Sequence, residues 1–175
     1  MKLDLTHYRQ PLLSFIRTFQ PEDVADPSDV YRIAAPVDLV FDIHKDKDLF
    51  RLVGSVASEL ELPCSRCLEP WRLAVAEQFD LRYLPVAKAT VDPEREVNED
   101  DLGTSYYQND EIDLNELLRE QFYLVLPMKP LCRQDCRGLC SQCGTNLNVG
   151  ACGCAPVWAD PRLAALDGLG KSRES

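Results

Sequence analysis

The chain has 175 residues, 45% of them apolar, enough to bury the core of one ordinary domain and too many for a wholly disordered chain. Its formal charge is −10 and its sequence pI is about 4.7, which argues against a general electrostatic grip on nucleic acid or an anionic membrane. No run approaches the roughly eighteen apolar residues of a membrane span, so no membrane role is expected.

In chain order, Lys2 to Tyr8 alternate and predict a short strand. Asp4, Arg9 and Arg17 interrupt the apolar opening, which therefore does not read as a signal-peptide core; a reducing cytoplasm is the expected compartment. Residues 37–43 put Val37, Leu39, Phe41 and Ile43 on one side of a strand. Residues 50–62 repeat the pattern, with Phe50, Leu52, Gly54, Val56, Ser58, Leu60 and Leu62 on one face. Residues 71–83 do so again, and Glu77 is the one polar intruder, marking a bulge or an edge position. Short connections between these runs predict an antiparallel meander.

From Val86 to Glu120 eleven acids face three bases, a local net of −8. Residues 86–110 lack periodicity and read as an exposed, partly disordered acidic loop, densest at Glu99, Asp100 and Asp101. That run reads first as solvated charge and second as a magnesium site. A helix follows. Asp113 is its N-cap, Glu116 completes a capping box, and Ile112 and Leu117 occupy the staple positions. Leu114, Leu117, Leu118, Gln121, Phe122 and Val125 lie at helical spacing and make one face apolar, and Pro127 ends the helix. Near the end, Asp160 caps a short helix from Pro161, and residues 168–175 read as frayed. The fold class expected is α+β: an antiparallel β-sheet meander, one main helix and a Cys-rich, zinc-ribbon-like C-terminal tail. The boundary falls between residues 1–130 and 131–175.

Eight cysteines in a reducing compartment are poorly explained by disulfides. Cys64 and Cys67 form a C-x2-C where a hairpin turn belongs, so two thiolates reach one ion and leave two positions for a second pair. The tail carries Cys132, Cys136, Cys140, Cys143, Cys152 and Cys154, and Gly144 after Cys143 frees the backbone to curl around the sulfurs. Grouped in fours, Cys140, Cys143, Cys152 and Cys154 make a local site. Cys64, Cys67, Cys132 and Cys136 make a long-range site that staples the helix exit to the hairpin tip. One or two Zn2+ per chain follow. Iron–sulfur ligation, a redox C-x2-C, buried free thiols and a disulfide framework are the alternatives. No catalytic residue stands out: there is no phosphate loop, G-x-S-x-G or H-E-x-x-H, and His7 and His44 read as solvated. Trp71 and the pair Tyr106 and Tyr107 are the aromatics that can stack on bases, but Trp71 reads as core and the tyrosines lie amid acids.

Leu62-Pro-Cys-Ser-Arg-Cys-Leu68, the helix EIDLNELLREQFYLVLPMKPLC and the tail CRGLCSQCGTNLN resemble the YceD family, whose members are described as large ribosomal RNA subunit accumulation proteins. The likeness covers roughly residues 36–168. It implies a bacterial cytoplasmic, non-enzymatic protein needed for normal levels of 23S ribosomal RNA, through its synthesis, processing or stability. It also implies a gene beside one for a large-subunit ribosomal protein. Three readings of its action stand open. The first is binding of a basic ribosomal protein or rRNA-processing factor through the acids of residues 92–113, among them Glu99, Asp100, Asp101, Asp110 and Glu111. The second is a zinc-dependent rRNA-binding module using Arg66, Arg72, Lys129, Arg133 and Arg137. The third is a thiol oxidoreductase at Cys64 and Cys67.

Overall fold

The computed structural model describes residues 1–6, 12–88 and 103–154. The elements are β1 (Lys2–Asp4), β2 (Leu12–Phe19), α1 (Pro21–Val24), β3 (Arg32–Ile33), β4 (Val37–Asp46), β5 (Leu49–Pro63), β6 (Pro70–Pro85), a 3-10 turn at Val86–Lys88, β7 (Thr104–Tyr107), β8 (Glu111–Asp113) and α2 (Leu114–Val125). The main sheet runs β2-β4-β5-β6-β7, with β3 pairing the far end of β5, and β1 pairs with β8 in a separate two-stranded sheet.

The alternating runs bury one face of this sheet. Val37, Leu39, Phe41 and Ile43 of β4 are each at most 1% exposed, and Leu52, Val56 and Leu60 of β5 are fully buried. Gly54 lies between Phe41 and Phe79 in the register, and their rings sit 6.2 Å apart. A Cβ on Gly54 would fall 2.1 Å from the Val40 carbonyl oxygen, so only glycine fits that crossing. Leu114, Leu117, Leu118 and Phe122 of α2 join the same core. The helix begins as its sequence directs: the Asp113 carboxylate accepts from the Asn115 N–H (2.9 Å). That bond goes to the second helical residue, in place of the Glu116 amide of the expected capping box. Ile112 and Leu117 are both buried at the staple positions. Among the described residues no helix is long and apolar enough to cross a membrane.

Several features differ from the sequence reading, the short elements α1, β3 and β8 among them. The sheet is mixed, because β7 pairs with β6 in parallel, Arg82 opposite Thr104 through Pro85 opposite Tyr107. Residues 86–103 supply the long connection that a parallel pair requires and a hairpin does not. The acidic segment therefore contains a 3-10 turn and a strand; its residues 89–102, including Glu99, Asp100 and Asp101, lie outside the described residues. β2 was not expected. It lies at the sheet edge and leaves Leu12 and Ile16 exposed, which blurs the alternation of buried and polar positions. The first strand is confined to Lys2–Asp4. Glu77 marks an edge without a bulge: β5 and β6 pair unbroken from Phe50 opposite Tyr83 to Pro63 opposite Pro70, while β7 reaches only Arg82–Pro85. His44 is exposed on β4. The helix expected from Pro161 lies outside the described residues.

Candidate metal centres

The β5–β6 hairpin ends in Cys64-Ser65-Arg66-Cys67. The Cys64 N–H donates to the Glu69 carbonyl (2.9 Å) and the Leu68 N–H to the Cys64 carbonyl (2.9 Å), a turn that puts Leu68 at φ 62°. The segment leaving α2 is tied to this tip by its backbone. Ser65 N–H donates to the Pro130 carbonyl (2.8 Å), and Leu139 N–H donates to the Arg66 carbonyl (3.0 Å). The Arg66 guanidinium donates to the Cys136 carbonyl (2.8 Å). These bonds carry Cys132 and Cys136 to the hairpin.

The sulfurs of Cys64, Cys67, Cys132 and Cys136 all lie within 4.8 Å of one another. Cys64 Sγ stands 3.7 Å from Cys136 Sγ, and Cys67 Sγ 3.6 Å from Cys132 Sγ. A disulfide needs about 2.05 Å. Four sulfurs placed about 2.3 Å from a tetrahedral ion stand about 3.8 Å apart, so the observed spacing suits a four-thiolate metal cage. Cys64, Cys67 and Cys136 are buried, with Trp71, Leu131 and Leu139 packed around them. Asn148 Nδ2 donates to Cys136 Sγ (3.3 Å).

Cys140, Cys143, Cys152 and Cys154 form a second set, also within 4.8 Å. Gly144, at φ 71°, turns the backbone so that its N–H donates to the Cys140 carbonyl (2.9 Å), and the Cys140 N–H donates to the Thr145 carbonyl (2.8 Å). This cage is open to solvent: Cys143 and Cys154 are exposed, Cys140 and Cys152 half-buried.

The thiols of each set are held apart in acidity. Burial opposes ionisation of Cys64, but N–H groups of Cys132, Cys67 and Arg66 outweigh it and pull the thiol down to about 6. Burial, then hydrogen bonds shared with Cys67, Cys136 and Cys64, push Cys132 up to about 12. In the second cage the Thr145 hydroxyl and then its N–H bring Cys143 to about 6, while the hydrogen bond with Cys143, then burial, raises Cys154 to about 12. Four sulfurs this close cannot all be anionic without a cation between them. A metal ion among them would relieve the repulsion, and each set of four could hold one.

The five basic residues are all exposed, yet most are engaged. Arg72 pairs with Glu59 (3.1 Å), and Arg133 donates to Asn148 (2.9 Å) and approaches Asp135 (3.4 Å). Of these five, Lys129 and Arg137 have no such partner for their side chains among the described residues. Asp110 and Glu111 stand beside the turn into β8, and Glu111 pairs with Lys2 (2.6 Å). Asn148 was not singled out in the sequence. It accepts from the Arg137 N–H (2.8 Å) and donates to Cys136, and no spacing rule points to it.

The family described as large ribosomal RNA subunit accumulation protein YceD matches residues 52–170, a stretch that holds all eight cysteines. The chain belongs to the YceD family. It is 28% identical over 152 residues to the chloroplastic large ribosomal RNA subunit accumulation protein YCED homolog 1 of Zea mays, covering 69% of this chain and 49% of that one. The Arabidopsis thaliana homolog 1 is 28% identical over 175 residues, covering 85% and 51%. An uncharacterized Mycobacterium tuberculosis protein is 34% identical over 115 residues, covering 66% and 53%. The chain thus spans about half the length of these curated relatives. No solved structure matches it significantly.

Proposed function

We propose that this protein is a non-catalytic, cytoplasmic ribosome-biogenesis factor that supports accumulation of large-subunit ribosomal RNA. It acts as a zinc-clamped scaffold that binds a basic ribosomal or RNA-processing protein. The observation that carries this reading is the gathering of eight sulfurs into two cages within the stretch matched to a family described by ribosomal RNA accumulation. Cys64, Cys67, Cys132 and Cys136 would hold one Zn2+, and Cys140, Cys143, Cys152 and Cys154 the other. Four protein thiolates close the coordination sphere, so the ion supplies a structural tie and no reactive position.

Charge argues for a protein partner. Each four-thiolate zinc site carries about −2, which takes the formal total to about −14. Such a chain neutralises few phosphates and readily meets a basic surface. Arg66, Arg72 and Arg133 are spent on contacts within the chain. A direct RNA contact is a second reading, supported by the exposure of Lys129 and Arg137 along the segment that threads the cages. An oxidoreductase is disfavoured because Cys64 and Cys67 are 0% and 3% exposed and each stands beside a sulfur from the other segment.

Binding of purified basic large-subunit ribosomal proteins and of 23S rRNA fragments, measured as salt is raised, tests the reading. Capture of a basic protein is expected to weaken with salt and with the triple variant Glu99→Gln, Asp100→Asn, Asp101→Asn. Protein binding that ignores both changes, or tight rRNA binding that crosslinks to Lys129 and Arg137, would overturn it.

A further inference from the structure

A cleft of about 590 Å3 opens between β7, β8 and the first turns of α2. Four acids stand on its walls: Glu111, Asp113, Glu116 and Glu120. Lys2 is the one cation there, and it is already paired with Glu111. Glu116 and Glu120 face solvent one helical turn apart and have no partner among the described residues. Like charges at that spacing weaken a helix slightly, and neither carboxylate is offset within the helix by a cation four residues away.

A second observation is independent of the carboxylates. Tyr83 of β6 lines the cleft, is only 6% exposed, and its hydroxyl has no hydrogen-bond partner among the described residues. Burial, with Glu120 and Glu116 beside it, holds the phenol protonated far above its ordinary range. The cleft therefore offers an unused neutral oxygen next to two unused carboxylates. A phosphate would meet repulsion there. A single metal ion does not suit it either: among the described residues, only the two cysteine sets bring three or more ligand atoms within 4.8 Å. What matches is an extended cation that donates several hydrogen bonds and accepts none, as a guanidinium does. Tyr106, half exposed on the same wall, adds an aromatic face of the kind on which such cations rest.

We propose that this cleft binds an arginine side chain of a basic protein segment, Glu116 and Glu120 taking the guanidinium and the Tyr83 hydroxyl accepting one of its N–H groups. The assignment rests on the basic-protein reading above and names where that partner enters.

The test is calorimetric titration of the full chain with an acetylated, amidated Gly-Arg-Gly-Arg-Gly-Arg-Gly peptide and its citrulline counterpart, which keeps the shape and loses the charge. The arginine peptide is expected to bind about tenfold or more tighter than the citrulline peptide, and the double variant Glu116→Gln, Glu120→Gln to lose about tenfold. Tyr83→Phe should lose a smaller factor. The charge-matched control Glu59→Gln, Glu61→Gln, opposite Ala74 and Arg72 and so nine or more residues along β6 from Tyr83, should bind as the unaltered chain does. Circular dichroism of each variant checks that α2 is retained. Equal affinity across the cleft variants, the control and the unaltered chain would overturn the assignment. If a basic ribosomal protein were still captured by the Glu116→Gln, Glu120→Gln chain at full strength, the cleft would fall and the partner reading would stand. If neither peptide nor ribosomal protein bound the unaltered chain, both would fall.

Discussion

Gly138 and Gly144 separate two effects that a single residue can have on the cages. Both take left-handed backbone, at φ 76° and 71°. A Cβ on Gly144 meets nothing within 4 Å, whereas one on Gly138 would stand 2.9 Å from the Arg66 carbonyl oxygen, which already accepts from Leu139. Gly144→Ala is therefore expected to cost about 1 kcal/mol, from backbone conformation alone. Gly138→Ala should cost about 2–3 kcal/mol, because it also pushes the tail off the hairpin tip. Urea unfolding of the two variants measures the difference, and equal losses would contradict the close approach. Gly144 was legible in the sequence, since it follows Cys143 in the knuckle. Gly138 was not, because the atom it avoids belongs to a residue far earlier in the chain. Arg66 has a role that was hidden for a related reason. Its charge put it among the residues that could meet RNA, and its guanidinium also donates to the Cys136 carbonyl.

At the scale of elements, the two cages differ in what they join. Cys64 and Cys67 sit on the longest hairpin of the sheet, and Cys132 and Cys136 on the exit from the only long helix among the described residues, so that cage ties sheet to helix. The other joins four residues of the tail. Cys67→Ser is accordingly expected to lower the thermal midpoint of the zinc-loaded chain well beyond Cys154→Ser. Similar losses would mean that the long-range cage carries no special load. The pairing of distant cysteines was legible because eight thiols divide into fours in few sensible ways. The three long strands were legible because period-two alternation marks a half-buried surface. Strand direction leaves no such mark. Period two is the same in parallel and antiparallel pairs, so β7 was absorbed into the acidic loop. β2 was lost because an edge strand with exposed Leu12 and Ile16 carries no clean alternation.

At the scale of the molecule, the buried sheet face, the long helix α2 and the two sulfur cages are what join the described residues. A domain is stabilised by about 5–15 kcal/mol in total, and a structural zinc site is worth about 10–16 kcal/mol apparent at neutral pH. Metal and fold are then expected to be coupled: opening the long-range cage should weaken the bonds from Ser65, Arg66 and Leu139 that dock the tail. The strongly acidic surface adds self-repulsion that a clamp must resist. If both sets of four thiols hold metal, elemental analysis of the chain purified without added metal will read it out. Two zinc atoms per chain is the expected result; one or none, from protein that remains folded, would contradict it.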